Sequence, residues 1–171
     1  MRALIITADL FEDSELKIPY EILKESGTPV DIASLNKGKV TGKHGYSVDA
    51  ALSLDEADPD LYDILILPGG KAPSALRKEP KALAIAQTFF NQNKLVAAIC
   101  HGPQILISAG LMKGRRATGY KSIAKELKDA GALYQDTQVV IDKNLITSRE
   151  PSDLPAFMEA IKDHLYHEST K

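Results

Sequence analysis

With 171 residues, 44% of them hydrophobic and 26% charged, the chain is long enough to bury about two thirds of the surface its unfolded form exposes, so a single domain over residues 1–171 needs neither a disulfide nor a structural metal to fold. The 21 basic and 23 acidic residues nearly cancel, which argues against nucleic acid or a membrane surface as a partner. A lone cysteine excludes an intrachain disulfide, the opening apolar run is too short for a signal peptide, and no stretch approaches the roughly 18 to 20 apolar residues of a membrane span; the expected compartment is the cytoplasm.

In chain order, Ala3 to Thr7 reads as a strand, and a helix succeeds it from about Asp13 or Ser14 to Lys24, capped at Gly27. Pro29 to Ser34 is a second strand. Residues 36 to 52, with Gly38, Gly42, Gly45 and the β-prone Tyr46-Ser47-Val48, read as an inserted hairpin. Tyr62 to Leu67 is a third strand, a helix after Pro80 carries Leu83, Ile85, Phe89 and Phe90, and Leu95 to Cys100 is a fourth strand running into a helix that ends near Gly110. Gln138 to Ile141 and Leu145 to Ser148 flank the turn Asp142-Lys143-Asn144 as a second hairpin. A final helix begins near Pro151 to Asp153 and carries Leu154, Phe157, Met158, Ile161 and Leu165 on one face.

The strand runs are continuous rather than alternating, as in parallel strands covered on both faces, and they alternate with helices. The fold class is therefore α/β: a doubly wound, mostly parallel sheet sandwiched by helices. In such a sheet ligands bind outside the carboxyl ends of the strands, near the point where strand order reverses. Asp9 to Glu15 come directly after the first strand, Pro68-Gly69-Gly70 after the third and Cys100-His101-Gly102 at the end of the fourth, so an acid cluster, a double glycine and a thiol converge on one rim.

Cys100 stands where a buried strand turns into a helix, a position whose unpaired N–H groups favour thiolate and hence a nucleophile; a small buried hydrophobe is the alternative. Glu15 shares a helix face with Pro19 and Ile22, which points its carboxyl inward, raises its pKa and makes it a proton relay for a neighbouring thiolate. Glu12 and Asp13 complement the helix macrodipole, and Glu12 is also a candidate for substrate contact. Gly69 and Gly70 bring backbone N–H groups close enough for an oxyanion hole, or make an ordinary turn. His101 is a candidate base, although side chains adjacent in sequence usually diverge. His44 reads as a solvated loop residue. His164 and His167 have metal-pair spacing with no convergent acid or cysteine, so no metal site is assigned.

Cys100-His101-Gly102-Pro103, Pro68-Gly69-Gly70 and Glu12-Asp13-x-Glu15-x3-Pro19 together resemble the PfpI (ThiJ/PfpI) family of the class I glutamine amidotransferase-like superfamily. The likeness extends through Thr41 to Val48, the Gly114-Arg115-Arg116 loop with Tyr120, and Thr147-Ser148-Arg149 before Pro151. It implies a flavodoxin-like fold with Cys100 on a strained nucleophile elbow, the Glu15 carboxyl holding the thiol, an oxyanion site near Gly70 and His101, and Tyr120 and Arg149 lining the pocket. It also implies a homo-oligomer, a dimer or a hexamer built of dimers, and no cofactor. In the archaeal protease branch a neighbouring subunit's glutamate orients the histidine of a Cys-His-Glu triad; Ser74 stands at that position here and carries no charge for an imidazolium. The leading expectation is therefore a deglycase or glyoxalase-type enzyme acting on 2-oxoaldehydes or their early adducts on a protein, peptide or nucleotide. An intracellular cysteine peptidase using Cys100 and His101, and a redox sensor or chaperone-like stress protein, are the alternatives.

Overall fold

The computed structural model describes residues 1–169. The apolar runs form β1 (Ala3–Ile6), β2 (Val30–Ser34), the hairpin β3 (Gly38–Thr41) and β4 (Ser47–Ala50), β5 (Leu52–Ser53), β6 (Ile64–Leu67), β7 (Leu95–Ile99), a short pair β8 (Arg116–Ala117) and β9 (Leu133–Tyr134), and the hairpin β10 (Val139–Asp142) and β11 (Leu145–Ser148). The helices are α1 (Asp13–Glu25), α2 (Ala72–Leu76), α3 (Pro80–Asn91), α4 (Pro103–Ser108), α5 (Ala124–Asp129) and α6 (Leu154–Ser169).

Seven strands make the central sheet in the order β10-β11-β7-β6-β1-β2-β5, parallel throughout except for β10. Every residue of β1, β6 and β7 is buried, so these strands are apolar on both faces and helices must cover both. The doubly wound α/β class expected from the sequence is the observed one. From β1 the chain moves to β2 on one side, and β6 and β7 then build the other, so the order reverses beside β1. A crevice opens at such a reversal because the connecting helices diverge to opposite faces.

Five short elements leave no signal in the sequence pattern: β5, α2, β8, β9 and α5. Each is of six residues or fewer and buries at most three side chains, such as Leu127 alone in α5. Neither a period of 3.6 nor one of 2 can declare itself over so few residues. Pro19 does lie inside α1, buried, so the Glu15 carbonyl has no N–H partner four residues on. No helix among the described residues is long and apolar enough to cross a membrane.

Candidate active site

Cys100 directly succeeds β7 and adopts φ +63°, a left-handed conformation that is sterically costly for a side-chain-bearing residue. It is held there from both sides. Its N–H donates to the Ser148 carbonyl at the end of β11 (3.0 Å), and its carbonyl accepts from the Tyr120 N–H (2.9 Å). The strained elbow thus turns the thiol out of the sheet and into the crevice.

Glu15, in the first turn of α1, is fully buried. Its Oε1 accepts a hydrogen bond from the Gly69 N–H (2.8 Å), Oε2 has no hydrogen-bond partner, and the carboxyl is near enough to the Cys100 thiol for the two to interact electrostatically. Burial pushes this carboxyl up to about 8, the Gly69 bond opposes the rise, and the Glu12 charge adds to it. Glu15 therefore carries its proton at neutral pH, as its place on the inward face of the helix predicts.

The thiol departs from expectation. Burial, and after it the Glu15 charge, pushes Cys100 up to about 12, against the N–H groups of Gly70 and His101 that bond the sulfur. The next helix, α4, has six residues, too few for a large dipole, so desolvation wins over the helix terminus. Because Glu15 is neutral near pH 7, the second of those causes is removed in the resting site.

Gly69 and Gly70 divide the work expected of them jointly. The Gly69 N–H is spent on Glu15, whereas the Gly70 N–H bonds the sulfur. Gly70 has φ +81°, and a Cβ there would lie 2.4 Å from the Glu12 nitrogen and 2.6 Å from the Leu10 carbonyl oxygen. Both are backbone atoms flanking the bridge Phe11–Gly70, which cannot yield. Gly70→Ala is expected to lower stability by about 3 kcal/mol, from overpacking and left-handed strain together, read as a fall in Tm.

The His101 ring does lie beside its neighbour's thiol: its Nδ1 is 3.3 Å from the Cys100 sulfur, and its Nε2 is 3.3 Å from Ser122 Oγ. The tight turn after β7 overrides the divergence expected of adjacent side chains. Burial, and then the Lys43 charge, lower its pKa, so the ring is neutral at pH 7. The Tyr120 ring packs edge-on against it at 5.1 Å.

These groups open onto a cleft of ≈ 460 Å³ whose walls include Glu12, Glu15, Gly70, Cys100, His101 and Tyr120. Arg149 is not among the residues facing it. Its guanidinium is turned to Asp153 (Nε–Oδ2 2.9 Å) and Asp136 (3.0 Å), so it braces the start of α6 instead of lining the pocket. Sequence reasoning missed Lys43, Lys71 and Glu150, which bring charge to the rim. Lys43 pairs with Glu12 at 3.4 Å, and His44 reaches the same carboxylate at 3.5 Å, which ties the hairpin tip to the cleft. Asp13 does more than complement the dipole: its carboxylate accepts from the N–H groups of His44 (3.0 Å) and Tyr46 (2.8 Å) and so anchors that tip. Gly42 was the available signal, because a Cβ there would sit 2.2 Å from Asp13 Oδ1. No group of three or more His, Cys, Asp or Glu side chains suited to a metal ion occurs among the described residues.

Residues 1–164 match the DJ-1/PfpI family. The chain belongs to that family. It is 52% identical over 158 residues to a Pyrococcus furiosus protein named deglycase PfpI, covering 92% of this chain and 95% of the relative. It is 46% identical over 156 residues to protein/nucleic acid deglycase 2 of Escherichia coli, covering 90% and 91%. Among solved structures it superposes with a TM-score of 0.95 and 41% identity on a two-domain Anabaena variabilis protein that contains DJ-1/ThiJ/PfpI-like and ferritin-like domains, over 96% of this chain and 50% of that one. In DJ-1/PfpI terms the sheet, the crevice at the strand-order reversal and the elbow are one construction: the fold brings the ends of β1, β6 and β7 together, and the elbow puts a sulfur where they meet.

Proposed function

We propose that this chain is a cysteine-dependent deglycase acting on the early adducts of 2-oxoaldehydes with amines or thiols, and on the free aldehydes. The observation that carries the reading is the buried Glu15 carboxyl, protonated near neutrality beside the chain's one thiol in the same cleft, in a protein of a family whose close relatives bear the name deglycase. Cys100 is the nucleophile, Glu15 the proton relay, and His101 a base beside the sulfur. Glu12, Gly70 and Tyr120 contact substrate. Arg149 is withdrawn from that role.

The chemistry closes without an external oxidant or reductant. The Cys100 sulfur bonds to the aldehyde-level carbon of the adduct, the thiol proton passes to His101, the amine leaves with the proton of Glu15, which becomes a carboxylate, and a hemithioacetal remains. Glu15 takes the proton from that carbon and the neighbouring carbonyl carbon gains one. The first carbon is thereby oxidised to a thioester and the second reduced to a hydroxyl. Water cleaves the thioester, which restores the thiol and releases a 2-hydroxy acid. In this reading the Gly70 and His101 N–H groups, which bond the sulfur in the resting site, serve the oxyanion that forms at the attacked carbon.

Peptide hydrolysis fits less well, because the His101 Nε2 meets a serine hydroxyl and not a carboxylate. The assembly in this reading is a cytoplasmic homo-oligomer, dimeric or hexameric.

The test is product analysis with a methylglyoxal hemiaminal of a simple amine. Free amine and lactate are expected from the untreated protein and neither from protein carboxamidomethylated at its one thiol. Casein cleavage without lactate would overturn the reading in favour of the peptidase.

A further inference from the structure

A neutral imidazole has one protonated and one bare nitrogen, and a base must present the bare one to its proton donor. In this site the choice matters twice over: His101 is neutral because burial and Lys43 lower its pKa, and only Nδ1 lies next to the thiol. If Nδ1 carried the hydrogen, the ring could donate to the sulfur but accept nothing from it. The atom across the ring is the other partner, a hydroxyl able to accept from an Nε2–H or to donate to a bare Nε2. At 3.3 Å from Nε2 stands Ser122 Oγ, on the turn Lys121–Ile123 that leads into α5.

We infer that Ser122 is a positioning residue that sets the tautomer of His101: its hydroxyl oxygen accepts the Nε2–H, which leaves Nδ1 bare and aimed at the Cys100 thiol. The proton then passes from Sγ to Nδ1 as the sulfur attacks, and the resulting imidazolium still donates through Nε2 to the same oxygen. Ser122 thus stands where a triad would place its orienting acid, but from within the chain and without charge. As acceptor the hydroxyl oxygen holds the useful tautomer yet, being uncharged, stabilises the imidazolium little, which suits a base that must return its proton quickly.

The charged neighbours leave this role to Ser122. Lys43, from the hairpin tip, disfavours the imidazolium; Glu126, on α5, favours it from a distance but is engaged by Arg77 and by Gln104 (2.9 Å). Tyr120 packs on the ring and Cys100 faces Nδ1. The inference rests on the reading of Cys100 as nucleophile, and the experiment separates the two.

The experiment measures iodoacetamide alkylation of Cys100 across pH 6 to 9, with ¹⁵N chemical shifts of the His101 ring, in wild type, Ser122→Ala and Ser122→Thr. In Ser122→Ala the ring is expected to lose its uniform Nε2–H state and alkylation near pH 7 to fall about fivefold, the factor of one net hydrogen bond. Ser122→Thr, which keeps the hydroxyl, should restore both. Unchanged ring shifts and alkylation in Ser122→Ala would overturn the inference while leaving the deglycase reading intact. A Ser122-dependent thiol in a wild type that converts no adduct would sink the deglycase reading alone.

Discussion

Cys100→Ala and Cys100→Gly are both expected to convert no adduct above background, a fall of at least about 10³-fold, while differing from each other in stability. The chain has no second thiol to take over, so the loss is complete by construction. The two variants diverge because alanine keeps the left-handed φ of +63° and its steric penalty, whereas glycine does not. Cys100→Gly should therefore unfold later than Cys100→Ala, by about 1 kcal/mol in a thermal or urea titration. Equal stabilities would mean that the elbow stores no strain. Appreciable turnover in either variant would remove Cys100 from the mechanism.

Glu15→Gln separates holding the sulfur from moving the proton. The amide oxygen can accept from the Gly69 N–H and the amide nitrogen can donate to the sulfur, which mimics the protonated carboxyl. What it cannot do is accept and return a proton, so turnover is expected to fall by about 10²- to 10⁴-fold while alkylation of Cys100 persists. Stability should respond in the opposite direction. Between an ordinary value of 4.5 and about 8, native Glu15 keeps a proton that the unfolded chain releases. Wild-type stability is thus full below about pH 4.5, declines as pH rises through that window, and levels off above about pH 8. The ceiling on this loss is about 5 kcal/mol, from 1.36 kcal/mol per pH unit. Glu15→Gln lacks the slope, so its Tm should overtake the wild type in the alkaline range. A wild-type Tm independent of pH between 5 and 8.5 would show that the carboxyl is not buried in its neutral form.

Much of this site was legible in the chain before any coordinates. Glu15 could be read because its position relative to Pro19 and Ile22 puts it on the inward face of a helix, and burial of a carboxyl has a known direction. Cys100 could be read because an apolar strand run ends on it. Arg149 was misplaced because a charged residue after a strand end can face the crevice or a local carboxylate, and Asp153, four residues on, lies closer than any substrate. The thiol's ionisation was misjudged for a related reason: the pattern announces a helix start, but not that the helix ends after six residues or that a carboxyl sits against the sulfur.

The sequence by itself determined the α/β class, both hairpins, the helix start that carries Glu15 and the strand ends after which Gly70 and Cys100 come, because periodicity, turn chemistry and apolar runs are local properties of the chain. Only the tertiary structure decided that the Gly69 N–H serves Glu15 while that of Gly70 serves the sulfur, and that Asp13 and Glu12 clamp the Lys43–His44 tip to the cleft. The same holds for Ser122, 21 residues past His101 in sequence and within reach of its ring. Hydrogen bonds between strand ends depend on strand order, and strand order depends on which apolar faces the helices bury together. No single segment of the chain encodes that outcome.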